Sequence, residues 1–446
     1  MSPSAGRRRK VKKIAVWCFA AILLILLPVL AGADTAQEIK SGVTFEANGK
    51  AKNVEEMRDD DFGTYFPLKE KNGWLEIHSE EEIHGVSVML FDKFSQPLSY
   101  ELQIRDVSGE WVTTDKSAED YLVQWHELEK GTKELRILAT SRERLRIAEL
   151  RLFGEGEKPA EIQHWKTLGK CDMMLLTAHP DDETLWFAGL LPTYAGERKL
   201  RVQPVVMVPT GGERKLEVLS AFWTCGVTAY PEFLGLVDKN GKSVEKQYKV
   251  WRGQNRVLGL VTEVIRKHQP EVLVTHGERG EYGHGAHKTA CDAAKLSVKY
   301  AAKESRFKES AKKYGTWQVK KLYLHEYDKN VIPCDWSVPL EAFGGKTGYE
   351  VAAEAFAWHR SQIKRDWEYE IHGKHDNAAF GLYFTTVGQD TGTGDFMEHI
   401  ELENSGTESA AEPAGASGTD TGKNPGEDEA GTAEEDETYE EDGSEE

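Results

Sequence analysis

The sequence predicts two folded units in series: an all-β sandwich or jelly roll, then an α/β unit built on a Rossmann-like, doubly wound, mostly parallel sheet. Three observations carry this. Apolar residues alternate with polar ones early in the chain. After a stretch containing Pro and Gly, the pattern changes to short, solid apolar runs. Helical patterns then separate those runs. A length of 446 residues agrees with more than one unit, because a typical domain takes ~100–200.

The first unit is expected over residues 40–155. Val86, Val88 and Leu90 alternate with their neighbours, as do Tyr100, Leu102 and Ile104, which is the pattern of half-buried strands. Turn residues separate the runs at Ser95-Gln96-Pro97 and at Asp106-Val107-Ser108-Gly109. Further short strands are expected at Leu135–Leu138 and Leu145–Phe153. The closing run from Arg146 to Gly154 resembles the last strand of discoidin-type domains, which implies a glycan- or surface-binding module over about a quarter of the chain.

Residues 156–168, with Pro159, read as a linker, and the α/β unit follows over 169–403. Met173–Ala178, Val202–Val208 and Val272–His276 suit buried parallel strands, with another strand at Leu322–Tyr327. Helices are expected at Glu213–Cys225, Val250–His268 and His287–Ala302. Residues 404–446 are too polar to bury a core and read as a disordered tail. That tail holds fifteen acids against Lys423 alone, −14 of the net −19, and the folded part before it is acidic as well. No basic stripe interrupts it, which excludes nucleic acid as a partner.

At the other end, a cationic run from Arg7 to Lys13 precedes the apolar stretch Ile14–Leu30 and the small residues Ala31-Gly32-Ala33. This is the order of a signal peptide, residues 1–33, cut before Asp34. An uncleaved anchor is the alternative, since the stretch is near the ~17-residue minimum for spanning a bilayer. Either reading exports the rest, as a secreted or cell-surface protein. Cys18 falls in this leader. Cys171, Cys225, Cys291 and Cys334 show no metal or redox spacing; the first three read as small buried hydrophobes, with a single disulfide left open.

Chemistry concentrates in two places. Ala178-His179-Pro180-Asp181-Asp182-Glu183 ends the first parallel strand, where doubly wound sheets place their ligands. Histidine and carboxylate both ligate zinc. Gly280-Glu281-Tyr282-Gly283-His284-Gly285-Ala286-His287 follows the third strand and brings further imidazoles to the same sheet edge. Alone, the first motif could be an ordinary polar loop. Elsewhere the plainer readings are that Tyr282 packs in its loop, that Arg214 pairs with Glu217 on a surface helix, that His268 and His276 are structural or exposed, and that His359 packs or caps a helix.

The two motifs together resemble the PIG-L/LmbE-like family of zinc-dependent sugar deacetylases, over roughly residues 170–400. The resemblance implies a Zn2+ held by His179, Asp182 and His287, with Asp181 as general base. It implies that Tyr282 and His284 assist the oxyanion, that His284 protonates the leaving amine, and that Arg214, in the Arg-x-x-Glu ending at Glu217, contacts the sugar. Gly285-Ala286 replaces the Pro-Asp usual between the paired histidines, leaving Glu281 and Glu278 as candidates for the missing acid. The short loop from Thr210 to Arg214 implies an open site for a larger substrate. The expected function is exported, zinc-dependent deacetylation of N-acetylated glycans, with surface glycan held by the sandwich. An inactive glycan-binding adhesin and an amidase for a non-sugar N-acyl compound are the alternatives. With the site wholly in the second unit, a protein beginning near Ile162 would be expected to turn over small substrates unaided.

Overall fold

In a computed structural model, residues 34–402 are described except 49–52, 70–71, 93–97, 119–120 and 364–368. The expected leader, the turn at Ser95–Pro97 and the acidic tail lie outside the described residues. Among those described, no helix is long and apolar enough to cross a membrane.

The first sheet contains β1 (Val43–Ala47), β2 (Phe66–Pro67), β3 (Trp74–Leu90), β4 (Tyr100–Arg105), β5 (Trp111–Lys116), β6 (Val123–Ala139) and β7 (Arg146–Phe153). Their order is β2-β7-β3-β6-β4-β5, with β1 also on β3, and every pairing is antiparallel. The expected sandwich is therefore one continuous hydrogen-bonded path. β3 and β6, of 17 residues each, run through both halves, and their register shifts between His78 and Gly85. Bulges bend strands, so β1 pairs with the first half of β3 and β7 with the second. Val86, Val88, Leu90, Tyr100 and Leu102 are all buried, as their alternation requires.

The second sheet starts at β8 (Met173–Thr177), and the chain passes through α1 (Asp182–Leu185), β9 (Val202–Val206), α2 (Gly212–Thr224), β10 (Glu232–Phe233), α3 (Val244–Val250) and α4 (Gln254–His268). It continues through β11 (Val272–Thr275), α5 (Gly285–Ala301), α6 (Lys308–Tyr314), β12 (Lys321–His325), β13 (Val331–Pro333), β14 (Pro339–Leu340), β15 (Lys346–Thr347), α7 (Gly348–Phe356) and β16 (Ala379–Thr385). The order is β10-β9-β8-β11-β12-β16-β13; the first five are parallel, and β16 and β13 close one edge antiparallel. Every residue of β8, β9, β11 and β12 is buried, which is why these strands read as solid apolar runs. β9 lies on one side of β8 and β11 on the other, so the chain reverses its winding between β8 and β11. A crevice opens beyond the carboxyl ends of strands at such a point.

The helix expected over Val250–His268 is two helices. Arg252 and Gly253 have φ of 65° and 111° at the join, a left-handed corner that a continuous helix cannot contain. Cys171, Cys225 and Cys291 are buried, Cys334 is half-buried, and all four are free thiols. The stretch read as a linker is a packed strap: Ile162 and Trp165 are buried, and Gln163 donates to Ser220 Oγ on α2 at 3.0 Å. One apolar cluster joins the first sheet's core to one side of the second, from Leu75 and Val88 to Leu216 and Phe222. A second cluster, including Leu176, Ile265 and Ala290, fills the other side.

α5 carries His287, and its far end is fixed by Arg266 on α4. This fully buried guanidinium donates to the carbonyls of Tyr300, Ala301, Lys303, Arg306 and Phe307. Those oxygens are the orphan acceptors of a helix end and the turn beyond it. Arg266→Met should strand them and cost about 3–5 kcal/mol, read as a lower urea midpoint.

Candidate active site

Three adjacent strands deliver the site. β8 ends in His179-Pro180-Asp181-Asp182, β11 in His276 and the loop to His287, and β12 in His325. Asp182 and His287 are buried, and His179 is nearly so. His179 Nδ1 lies 3.2 Å from His287 Nε2, His287 Nε2 lies 3.3 Å from Asp182 Oδ1, and His179 Nδ1 lies 3.6 Å from Asp182 Oδ2. Donors ~2.0–2.1 Å from a tetrahedral zinc sit about 3.3 Å apart, so this donor set fits that ion. Wider groupings able to hold a metal, His179-His284-His287 and Asp182-His276-His287, share His287. The set implied by the resemblance takes members of both. A third grouping on the first sheet, Glu46-Glu76-His78, already has the Arg136 guanidinium on Glu76.

Behind the donors stands Glu281, whose buried carboxylate meets three imidazoles. Oε2 lies 2.6 Å from His287 Nδ1 and 3.0 Å from His276 Nδ1, while Oε1 lies 2.9 Å from His325 Nδ1 and accepts the Gly277 N–H at 3.2 Å. Burial alone would raise its pKa, but His276 and the hydrogen bonds hold it well below the carboxylate range. Donation of Nδ1–H by His287 leaves the Nε2 lone pair facing the donor cluster. His276 lies 3.1 Å from Asp182 Oδ2; burial disfavours its charge, yet Glu281 and Asp182 carry its pKa up to about 10. It therefore belongs to the site and is not a remote structural histidine. Trp186 Nε1 donates to Asp182 Oδ1 at 3.0 Å. Asp182 itself stays ionised despite burial, because His287 and His276 face it.

Asp181 differs from its neighbour. Its φ of 105° lies in a region that non-glycine residues rarely adopt and that costs ~1–3 kcal/mol. Its N–H donates to Glu183 Oε2 at 2.9 Å, and its carbonyl accepts from Thr184 N, Thr184 Oγ1 and Leu185 N. Burial and the charge of Asp182 push its pKa up to about 7, against Arg214 and His359. Glu183 Oε1 in turn lies 2.6 Å from His359 Nε2, so His359 does more than pack or cap: it fixes the carboxylate that holds the Asp181 amide.

Arg214 grips the same loop. It donates to the Pro180 carbonyl and to Thr210 Oγ1 at 3.0 Å, and lies 3.3 Å from Asp181 Oδ2. It does not pair with Glu217, which accepts from Ser361 N and Oγ, both at 2.6 Å. Asp238, which the motifs gave no reason to single out, lies 3.8 Å from His179 Nε2 and 3.9 Å from Arg214 Nη1. Tyr282 stands in the open, 58% exposed, with its ring 5.6 Å from that of His284. Glu278 and Glu281 do not replace the missing acid beside His284, since Lys295 holds Glu278 and the three imidazoles hold Glu281. Burial and the neighbouring His179 and His287 push His284 down to about 4. It is neutral at pH 7, and its Nδ1 accepts from Ala286 N at 3.3 Å, leaving Nε2–H as a donor.

Fold and site together define a doubly wound α/β protein with a buried histidine–carboxylate cluster, able to hold a metal, at its winding reversal. No family model matches the chain. The 1D-myo-inositol 2-acetamido-2-deoxy-alpha-D-glucopyranoside deacetylase 1 of Catenulispora acidiphila is 25% identical over 214 residues, covering 41% of this chain and 64% of its own length. The N-acetylglucosaminyl-phosphatidylinositol de-N-acetylase of Bos taurus is 27% identical over 201 residues, 43% of this chain and 74% of its own. This chain thus spans about two thirds to three quarters of these relatives' lengths. Among solved structures, the N,N'-diacetylchitobiose deacetylase of Pyrococcus horikoshii aligns at 19% identity and a TM-score of 0.35, over 44% of this chain and 72% of its own. The homologues of this chain are deacetylases of the PIG-L/LmbE group.

Purified protein should carry about one zinc per chain, and His179→Ala or His287→Ala should abolish it in metal analysis. Glu281→Gln should lower zinc affinity ~10–100-fold in competition with a chelator, as expected when an orienting carboxylate behind a histidine ligand is lost.

Proposed function

We propose that this chain is an exported, zinc-dependent hydrolase that removes acetyl groups from N-acetylated sugars of the N-acetylglucosamine type. One observation carries the reading: a strained, buried Asp181, with its pKa pushed up to about 7, beside a donor set that fits zinc. Zinc held by His179, Asp182 and His287 would acidify a water and polarise the acetamide carbonyl.

The protein supplies the remainder. Asp181 accepts a proton from the attacking water, and a base with pKa near the working pH is the efficient choice. Having taken that proton, Asp181 is placed to return it to the leaving amine, since neutral His284 commits its Nε2–H to the oxyanion. His284 Nε2–H and the Tyr282 hydroxyl are the donors for the developing oxyanion. Arg214 and Asp238 border the opening and offer a donor and an acceptor to sugar hydroxyls. The relatives named above act on acetamido sugars, which supports this substrate class. Export rests on the leader pattern of residues 1–33, and glycan holding by the first unit rests on its resemblance alone. A purely adhesive protein would have no use for a strained carboxylate beside a metal site, and this argues against the binding-only alternative.

Asp181→Asn should keep its zinc while acetate release from N-acetylglucosamine oligomers falls ~10²–10⁴-fold, the usual contribution of a general base. Because Asp181 acts as the anion, kcat/KM should rise with pH through its pKa and fall below it. A bound dication favours the anion and moves this limb below 7. The limb should be missing from the pH profile of Asp181→Asn.

A further inference from the structure

We propose that the N-terminal β-unit is part of the catalytic apparatus: two contacts across its junction with the α/β unit hold the Asp181 loop in its working conformation, and Asp92 and Arg360 act as positioning residues. This rests on the reading of Asp181 as general base.

The first path runs through α2. Asp92, two residues beyond the end of β3, is joined to Lys215 Nζ, and both side chains are almost fully buried. A buried ion pair is worth having only with tight geometry, and breaking one partner leaves an uncompensated charge. The pair therefore fixes the first turn of α2. The Phe91 ring seals the same turn, since a Cβ on Gly212 would come within 2.7 Å of it. Arg214, next to Lys215, reaches from that turn to the Pro180 carbonyl and the Asp181 carboxylate.

The second path runs through the segment after α7. Arg360 Nη1 donates to the Asp60 carbonyl at 2.6 Å, and the Phe62 ring stacks on Trp358 at 5.9 Å. Between those two anchors sits His359, bonded to Glu183, whose other oxygen takes the Asp181 N–H. Ser361 closes the loop by holding Glu217 of α2. One path thus ends on the Asp181 side chain and the other on its backbone. Both begin on the β-unit. A φ of 105° persists only where surroundings over-determine it, and much of that determination comes from residues 60–62 and 92. On this proposal a protein beginning near Ile162 would lose that support and turn over small substrates poorly, against the expectation from the site's location alone.

The test uses the full chain. Arg360→Ala alters an exposed side chain, and Asp92→Asn/Lys215→Gln removes both charges of the junction pair together. Each is made alone and combined with Asp181→Asn, with zinc content and thermal midpoint measured alongside. Turnover should fall about tenfold in Arg360→Ala, the scale of a sub-ångström misplacement of a reacting group, with KM and zinc unchanged. In the Asp181→Asn background the same change should cost nothing more, because the backbone it holds no longer positions a base. Wild-type turnover in both junction variants, beside a crippled Asp181→Asn, overturns this proposal alone. So does a loss of equal size in both backgrounds, which marks a general structural effect. Wild-type turnover in Asp181→Asn overturns the general-base reading and this proposal with it.

Discussion

The arrangement of the site depends on one buried anion. Glu281 sits among His276, His287 and His325, and an isolated carboxylate in that position would be neutralised by protonation. Three imidazole nitrogens and the Gly277 amide satisfy it instead. The consequences run outward. His287 is forced to present Nε2 to the cluster, and His276 is charged enough to keep Asp182 ionised. Burial first, and then the repulsion of an Asp182 fixed as an anion, push the pKa of Asp181 towards neutrality. Two adjacent carboxylates thus have opposite characters, and a glutamate that touches neither of them contributes through the histidines it holds.

That division of labour needs the sheet's topology as well. Glu281 can gather its histidines only because β11, which leads to His276 and α5, lies beside β12, which ends in His325. The reversal of winding between β8 and β11 opens the crevice, and the loops after the two strands fill it from either side.

Much of this was legible in the residues. Solid apolar runs gave the parallel strands because burial on both faces permits little else, and the histidine and aspartate motifs stand together at strand ends, where the pattern puts them. The hub was not legible: the motif offers Glu281 only as a partner for His284, although His325 closes a strand that the pattern does identify. Nothing in spacing says which of four nearby imidazoles a carboxylate will choose. His359 and Asp238 are separated from the motif by 176 and about 60 residues, and such long-range pairings leave no local signature. The break between α3 and α4 was hidden for another reason. Trp251 continues the apolar face across it, buried although the backbone has turned away from the helical path.

The β-unit poses the remaining physical question, why a module that could dangle from a tether is instead welded on. A tethered module raises local substrate concentration without touching the chemistry, and needs neither a buried ion pair nor a shared apolar cluster. Here Asp92 and Lys215 have surrendered their hydration, and Phe62, Met57 and Leu90 belong to the same apolar cluster as Leu216 and Phe222. Separating the units would expose that apolar surface and break the buried ion pair together, so they should unfold cooperatively rather than in turn. The strain at Asp181 gives that coupling a use. A loop held in a costly conformation must be held from more than one direction, and Arg214 and Glu183 hold this one from within the α/β unit. The β-unit supplies the missing side of the vice.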